Sequence, residues 1–273
     1  MSNPVQKYIH GTSDTEQLRL GLLNRITNDS FIRYLGDLSE SRVCDFGCGL
    51  GNLIAAVTGR FPGAVISGIE ISEQQLKSAQ ETNRRHPNVT LIRGDALKSG
   101  LPADAFDLTY CRYLLEHVAD PVAAVKEMLR VTRPGGTVAC QENDLHNVIY
   151  YPDIDGLDLL MGQFCRLQME LSGDPFVGRK LFDIFRRAGA SDIALSFEPE
   201  IYTQDEPDGY RAWLSNAHDI LFGARDLLIE RKTIGESEID VVLAEMRRRI
   251  EHPNGVALFY WNRVRATKPT ERL

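Results

Sequence analysis

The stretch Arg42-Val43-Cys44-Asp45-Phe46-Gly47-Cys48-Gly49-Leu50-Gly51 decides how the rest of the chain is read. A short apolar run around Asp45 leads into glycines at every second position, and from Asn52 to Arg60 the apolar residues return at helical spacing. A strand that turns into a helix through glycines lets a ligand approach the backbone closely, because no Cβ stands in the way. The helix that follows offers free N–H groups and the positive end of its dipole at the same point. In an open parallel sheet, ligands bind beyond the carboxyl ends of the strands.

The spacing narrows the ligand. The dinucleotide fingerprint is Gly-x-Gly-x-x-Gly. Here Gly51 comes one residue early, Asn52 stands at the fingerprint position, and Asp45 precedes the first glycine by two. A tight β–α turn with no ligand is the bland alternative to a nucleotide site.

Working outward, Ala64 to Ile69 is a second apolar strand ending at Glu70. Ser72 with Gln75 three positions on has the form of a capping box and opens a helix that runs to about Arg85. Val89 to Arg93 is a third strand, ending in Gly94-Asp95, and Phe106 to Cys111 is a fourth. Asp120-Pro121 starts a helix, with Asp at the N-cap and Pro at its first position, which stops before Arg133-Pro134-Gly135-Gly136. Thr137 to Gln141 is a fifth strand. Strands alternating with helices in this way predict βαβ units and an α/β, Rossmann-like fold with a parallel sheet covered on both faces.

The flanks are less regular. Thr12 to Leu38 reads helical, with Leu18, Leu22, Leu23 and Ile26 on one face. Ile154–Leu171 and Gly178–Arg187 read as helices, and Ala190–Phe197 and Val256–Arg265 as strands. A long, polar, largely helical stretch from Pro199 to Pro253 separates those two strands. The expected organisation is a single domain over residues 1–273. A helical cap (1–40) precedes a cofactor-binding core (41–145), followed by a substrate side with strand six (146–198), a helical insert (199–255) and strand seven (256–267).

The strand ends carry the polar groups a nucleoside needs. Glu70 lies about 20 residues after the glycines, where an acid can hydrogen-bond two ribose hydroxyls. Asp95, in Gly94-Asp95-Ala96, can accept from an adenine amino group, and Cys111-Arg112 closes the fourth strand at the same rim.

At this point the chain resembles a family. Asp45-Phe46-Gly47-Cys48-Gly49-Leu50-Gly51, Glu70, Gly94-Asp95-Ala96, Phe106-Asp107-Leu108 and Arg133-Pro134-Gly135-Gly136 are similar to the ordered motifs of class I S-adenosylmethionine-dependent methyltransferases. Tyr113-Leu114-Leu115-Glu116-His117-Val118-Ala119-Asp120-Pro121 resembles the Leu-x-His-x-x-Asp-Pro stretch of the small-molecule enzymes, of the ubiquinone and menaquinone biosynthesis kind. The resemblance covers Arg42 to Gln141 well and the rest loosely. It implies a seven-stranded, mostly parallel sheet with an antiparallel last strand and a helical lid, and S-adenosyl-L-methionine as cofactor. It also implies a cofactor-binding set that includes Asp45, Gly47, Cys48, Gly49, Glu70 and Ile71, with Gly47 and Gly49 at the methionine end. Glu70 follows at the ribose, Asp95 and Ala96 at the adenine, and the carbonyl of Cys111 or the side chain of Arg112 near the methionine portion. Tyr8 and Arg19, from the helix before the first strand, would reach the methionine carboxylate, Arg19 with a bidentate fork. The plain alternative for Arg19 is a pair with Glu16 or solvent.

Methyl transfer needs alignment above all, and an oxygen or carbon nucleophile can also need a base. His117, after the fourth strand, and His146, just past the fifth, are the candidate bases, with local packing as the alternative for each. His10 lies in the segment that could close over the site, whereas His86, His218 and His252 read as loop or helix-surface residues. Cys44 and Cys48 have no further ligands at suitable spacing, so no metal is expected. The expected acceptor is a small apolar or aromatic metabolite, at oxygen more readily than at nitrogen or carbon. A protein that binds the cofactor for another reaction and an NAD-dependent oxidoreductase are the alternatives.

Composition sets the outer bounds. With 43% hydrophobic and 25% charged residues the chain is an ordinary globular one. A net charge of −7 shows no basic footprint, so nucleic acid is not an expected partner. Arg247-Arg248-Arg249 reads as a solvated helix face. No signal-peptide-like or membrane-spanning run is visible and the five cysteines suit no disulfide framework, so the expected setting is reduced and cytoplasmic. The helical insert is a candidate dimer contact, which leaves a homodimer as an open expectation.

Overall fold

The computed structural model describes residues 27–232 and 234–270. Two compact units emerge, each built from separate segments. The larger comprises Thr27–Asp144, Phe176–Glu198 and the segment from Trp261 onward, and the other includes Leu145–Pro175 and Pro199–Tyr260.

The larger unit starts with helix α1 (27–35) and strand β1 (Arg42–Phe46), followed by α2 (Asn52–Arg60), β2 (Val65–Glu70), α3 (Glu73–Asn83) and β3 (Val89–Arg93). It continues with β4 (Phe106–Arg112), α4 (Pro121–Val131) and β5 (Thr132–Glu142). The strand order is β3-β2-β1-β4-β5, all neighbours parallel. The order reverses beside β1, which places a ligand crevice at the carboxyl ends of β1 and β4.

Period-two alternation separates the two faces of this sheet. Cys44, Phe46, Cys111, Val138 and Cys140 are buried against α4, whose Ala124, Val125 and Met128 complete that core. Val43, Leu108, Tyr110 and Ala139 are buried on the other face with Phe31, Ile32 and Leu35 of α1 and Leu53, Ile54 and Val57 of α2. The caps expected from sequence form. The Ser72 hydroxyl accepts from Gln75 N–H at 3.3 Å, and Asp120 accepts from Ala123 N–H at 2.9 Å with Pro121 behind it.

Phe106-Asp107-Leu108 acts here as a staple. Asp107 accepts from the Arg42 backbone N–H at 2.8 Å and from Arg133 Nε at 2.6 Å, joining the starts of β1 and β4 to the Pro-Gly-Gly turn. That turn lies inside β5, at a register irregularity opposite Phe106 and Leu108.

Downstream lie β6 (Ile149–Tyr151), α5 (Leu157–Glu170), α6 (Leu181–Ala188), β7 (Ser191–Thr203), α7 (Pro207–Glu230), α8 (Glu236–Arg249) and β8 (Val256–Thr267). In the larger unit, β8 residues Asn262 to Thr267 run antiparallel to β5, and α6 adds Ile184 and Phe185 to the α4 core. β8 also pairs β7. The expected antiparallel last strand is therefore present. β6, with no counterpart in the sequence reading, pairs antiparallel with Val256 to Leu258; three residues are too few to show a period.

In the other unit the polar stretch after Pro199 resolves into α7 and α8, packed with α5 around Leu160, Phe164, Leu221, Leu228, Ile239 and Met246. His218 corrects the sequence reading. It is only 3% exposed on α7, held by Asp219 at 2.9 Å and by Arg247 Nε donating to its Nε2 at 3.1 Å. The face of α7 that is buried is set by its packing with α5 and α8, which the spacing of α7 alone does not report. Among the described residues no helix is long and apolar enough to cross a membrane.

Candidate functional site

The glycine turn is shaped by hydrogen bonds and by close packing. Gly47 and Cys48 donate their N–H groups to the Ile69 carbonyl at 2.9 and 3.0 Å, tying the turn to the end of β2. Gly47, Gly49 and Gly51 all have positive φ. A Cβ on Gly47 would lie 2.9 Å from Leu114 Cδ1, and one on Gly51 would lie 2.4 Å from Asn83 Nδ2. The early third glycine thus has a packing cause: α3 crosses it closely, and the Asn83 amide donates to its carbonyl at 3.0 Å.

Glu70 faces this turn from the end of β2. One carboxylate oxygen accepts from Gly49 N–H at 3.0 Å and the other from Ser72 N–H at 2.8 Å. Burial raises its pKa, against the pull of these backbone donors. The Ile71 N–H bonds the same carboxylate, so of its four acceptor directions one is left for a ligand hydroxyl. Ile71 beside it is 64% exposed, an apolar surface next to a polar grip. Asp45 is buried under the turn. Its pKa rises to about 7 because burial outweighs the lowering effect of the Tyr110 hydroxyl and Arg112, with Glu70 adding repulsion.

Asp95 and Ala96 follow β3, Asp95 exposed and Ala96 half-buried, with Asp95 Oδ1 accepting from Leu97 N–H at 2.8 Å. Cys48 is buried in the turn. Cys111 is buried in β4, its sulfur 3.0 Å from that of Cys140. Arg112 is held from α1, donating to Thr27 Oγ1 at 3.3 Å and Asn28 Oδ1 at 2.7 Å. It also stacks over the rings of Phe31 and Tyr113. The structure therefore brings Asp45, Gly47, Cys48, Gly49, Glu70 and Ile71 together, and sets Asp95, Ala96, Cys111 and Arg112 at the neighbouring carboxyl ends of the same sheet.

His117 follows β4 in this unit. Its N–H donates to the Leu114 carbonyl at 2.9 Å, and its Nε2 lies 3.6 Å from Glu116 Oε1. His146 sits in the one-turn helix Leu145–Asn147 of the other unit. Tyr8, His10 and Arg19 lie outside the described residues. Among the described residues no group of three or more His, Cys, Asp or Glu is placed to hold a metal ion.

Sequence reasoning passed over several groups at this rim. Tyr113 has φ +57°, a left-handed conformation unusual for an aromatic residue. Its N–H donates to the Gln141 carbonyl at 3.0 Å and its hydroxyl accepts from Gln141 Nε2 at 2.9 Å. Gln141 can orient that way because its Oε1 accepts from Arg263 Nε at 2.7 Å. Arg263 is 3% exposed and also donates to Glu198 at 2.6 Å and Ser30 at 2.9 Å. Glu142 is buried completely, and desolvation with the nearby Glu116 charge raises its pKa to about 8. The one sequence signal for Glu142 was a carboxylate closing an apolar strand.

A glycine turn open to close backbone approach, a buried acid with an acceptor direction to spare, and a second acid one strand over fit a nucleoside with a charged tail. Comparison with known proteins agrees. Residues 44–140 match the methyltransferase domain family. An uncharacterised methyltransferase of Schizosaccharomyces pombe is 33% identical over 184 residues, covering 64% of this chain and 65% of that protein. Demethylmenaquinone methyltransferase of Staphylococcus aureus is 30% identical over 120 residues, 44% of this chain and 50% of that one. The match thus spans just under two thirds of the first relative and half of the second. In fold, the chain is similar to geranyl diphosphate C-methyltransferase from Streptomyces coelicolor, with a TM-score of 0.55 and 12% identity over 98% of this chain and 86% of that one. The larger unit has the parallel α/β sheet of the methyltransferase fold. Residues 44–140 carry a methyltransferase domain, of the kind whose cofactor is S-adenosyl-L-methionine.

Proposed function

We propose that the chain transfers a methyl group from S-adenosyl-L-methionine to an oxygen atom of a small, apolar or aromatic acceptor. The observation that carries the cofactor half is Glu70, held at the turn by the Gly49, Ile71 and Ser72 N–H groups with one acceptor direction left for a ribose hydroxyl. The bound cofactor supplies a methyl group on a positively charged sulfur, which loses its charge as the methyl leaves. Gly47, Cys48 and Gly49 let the methionine end approach the backbone, with Asp45 beneath them. Asp95 and Ala96 take the adenine, Ile71 adds apolar surface next to Glu70, and the carbonyl of Cys111 or the side chain of Arg112 lies near the methionine portion. Tyr8 and Arg19 are assigned to its carboxylate.

On the acceptor side the chain's task is to orient, exclude water and, for a hydroxyl, remove a proton. His117 is the base this reading assigns in the larger unit, its ring steadied by Glu116, and His146 is the candidate from the other. Segments outside residues 44–140 would set acceptor choice, because the family match ends where they begin. The names of the relatives and the net charge of −7 support a small molecule over nucleic acid.

The test is incubation with methyl-labelled S-adenosylmethionine and a panel of phenols, carboxylic acids, primary amines and quinols. Label in an O-methyl product is the expected result. Transfer confined to amines or ring carbons would overturn the oxygen assignment, and cofactor binding without transfer to any class would overturn the activity.

A further inference from the structure

We propose that Glu142 is a positioning residue for the cofactor site, holding the turn after β4 so that Leu114 buttresses the glycine turn. The inference rests on the cofactor reading above. It adds a group that touches neither the glycine motif nor, on that reading, the cofactor itself.

The chain of contacts starts at Tyr113. Its left-handed backbone turns the chain so that the next amides face back toward β5. Leu114 and Leu115 N–H then donate to one oxygen of Glu142, at 3.1 and 2.9 Å, and the Glu116 N–H bonds the same carboxyl. Consecutive amides converging on one group make an anion nest, and here the chain fills it with its own carboxyl. With its backbone held, Leu114 lies against Gly47, close enough that a Cβ there would clash. Gly47 in turn hangs from the Ile69 carbonyl beside Glu70. The link from Glu142 to the ribose-facing acid therefore passes through two backbone turns and one leucine.

The arrangement is costly to the fold. Glu142 has no exposed surface, and its Oε2 has no hydrogen-bond partner. A buried polar atom without a partner carries a desolvation penalty. Tyr113 adds a strained backbone. A leucine at position 142 would remove the penalty but leave the amides of residues 114–116 without their acceptor. Costs of this kind gather where geometry is used rather than where stability alone is served.

Isothermal titration with S-adenosylhomocysteine tests this, with melting temperature and circular dichroism recorded for each variant. Removing an acceptor shared by backbone donors weakens binding by roughly tenfold or more if the turn shifts, so Glu142→Ala should bind at least that much more weakly than wild type. Glu142→Gln, which keeps one carbonyl oxygen for the same amides, should bind within about threefold of wild type. Glu142→Asp, a milder change should the alanine variant fail to fold, pulls the carboxyl back by one methylene and should fall between them. A merely structural role would lower melting temperature without coupling to Leu114. In a Leu114→Ala background, Glu142→Ala or Glu142→Asp should therefore cost less than about twofold further, the non-additivity expected of residues acting through one contact. Binding by Glu142→Ala equal to wild type, or full additivity with Leu114→Ala, would overturn the proposal. If wild type fails to bind S-adenosylhomocysteine, the cofactor reading itself falls and this inference with it.

Discussion

Glu70→Ala is the most direct probe of the proposed cofactor grip, because structure and ligand can be cut from both sides of the same interaction. A hydrogen bond to a charged acceptor contributes about 1.5–3 kcal/mol. A ribose hydroxyl on the free acceptor direction of Glu70 therefore sets a lower expectation of about 1.5 kcal/mol, roughly tenfold in Kd. Titration calorimetry with S-adenosylhomocysteine and its 2′,3′-dideoxy analogue reads this out. Wild type should prefer the natural ligand by that factor, whereas Glu70→Ala should bind both alike. The stability arm separates grip from fold. Burial raises the Glu70 pKa, so the folded state holds its proton to higher pH than the unfolded chain does, and the ionised carboxylate weighs against folding as pH rises. Removing it strips acceptors from Gly49 and Ser72 but also removes that penalty, so melting at pH 8 should change little while affinity collapses. A variant that still discriminates the dideoxy analogue as wild type does would refute the ribose assignment.

Other consequences can be measured alongside it. The Asp45 pKa is raised from 3.8 to about 7, so its contribution to stability is full below pH 4 and is lost as pH rises through 7. About three pH units at roughly 1.4 kcal/mol each cap this at about 4 kcal/mol, and Asp45→Asn should flatten the fall in urea-unfolding free energy between pH 5 and 8; an unchanged slope would acquit Asp45. Gly51→Ala should destabilise by about 2–4 kcal/mol, since a left-handed backbone and a displaced Asn83 amide both count against it. Gly59→Ala, with nothing within 4 Å of the new methyl on the same helix, should instead stabilise by up to about 1 kcal/mol. Equal melting temperatures for the two would contradict the packing at Gly51. His117→Gln should lower the transfer rate by about 100-fold with cofactor affinity intact if His117 is the base; a rate within threefold of wild type would move the search to His146.

What was legible in the sequence, and what was not, divides along one physical line. Alternation, caps and glycines act over a few residues, and they showed β1 through β5, the Ser72 and Asp120 caps and the rim acids Glu70 and Asp95. β8 was legible as a strand because twelve residues give a period, its antiparallel direction being implied by the family resemblance alone; β6 was not, because three residues give none. His218 misled because the face of α7 that is buried depends on α5 and α8, which its own spacing cannot report. Phe106-Asp107-Leu108 was seen as a motif without a cause, and its cause lies in Arg42, 65 residues away.

Glu142 is the instructive case, because every local rule points away from it. A carboxylate closing an apolar strand looks like a solvated end, yet Glu142 is buried, and its partners are amides 27 and 28 residues earlier. Those amides converge only because Tyr113 adopts a backbone that its own residue type disfavours. Two local violations that make sense only together are invisible to any window that sees one at a time. Each is unfavourable alone, and their pairing is what presses Leu114 onto Gly47. The motif glycines then owe their conformation partly to a residue outside the motif. Glu142→Ala should consequently weaken cofactor binding although no motif residue is substituted.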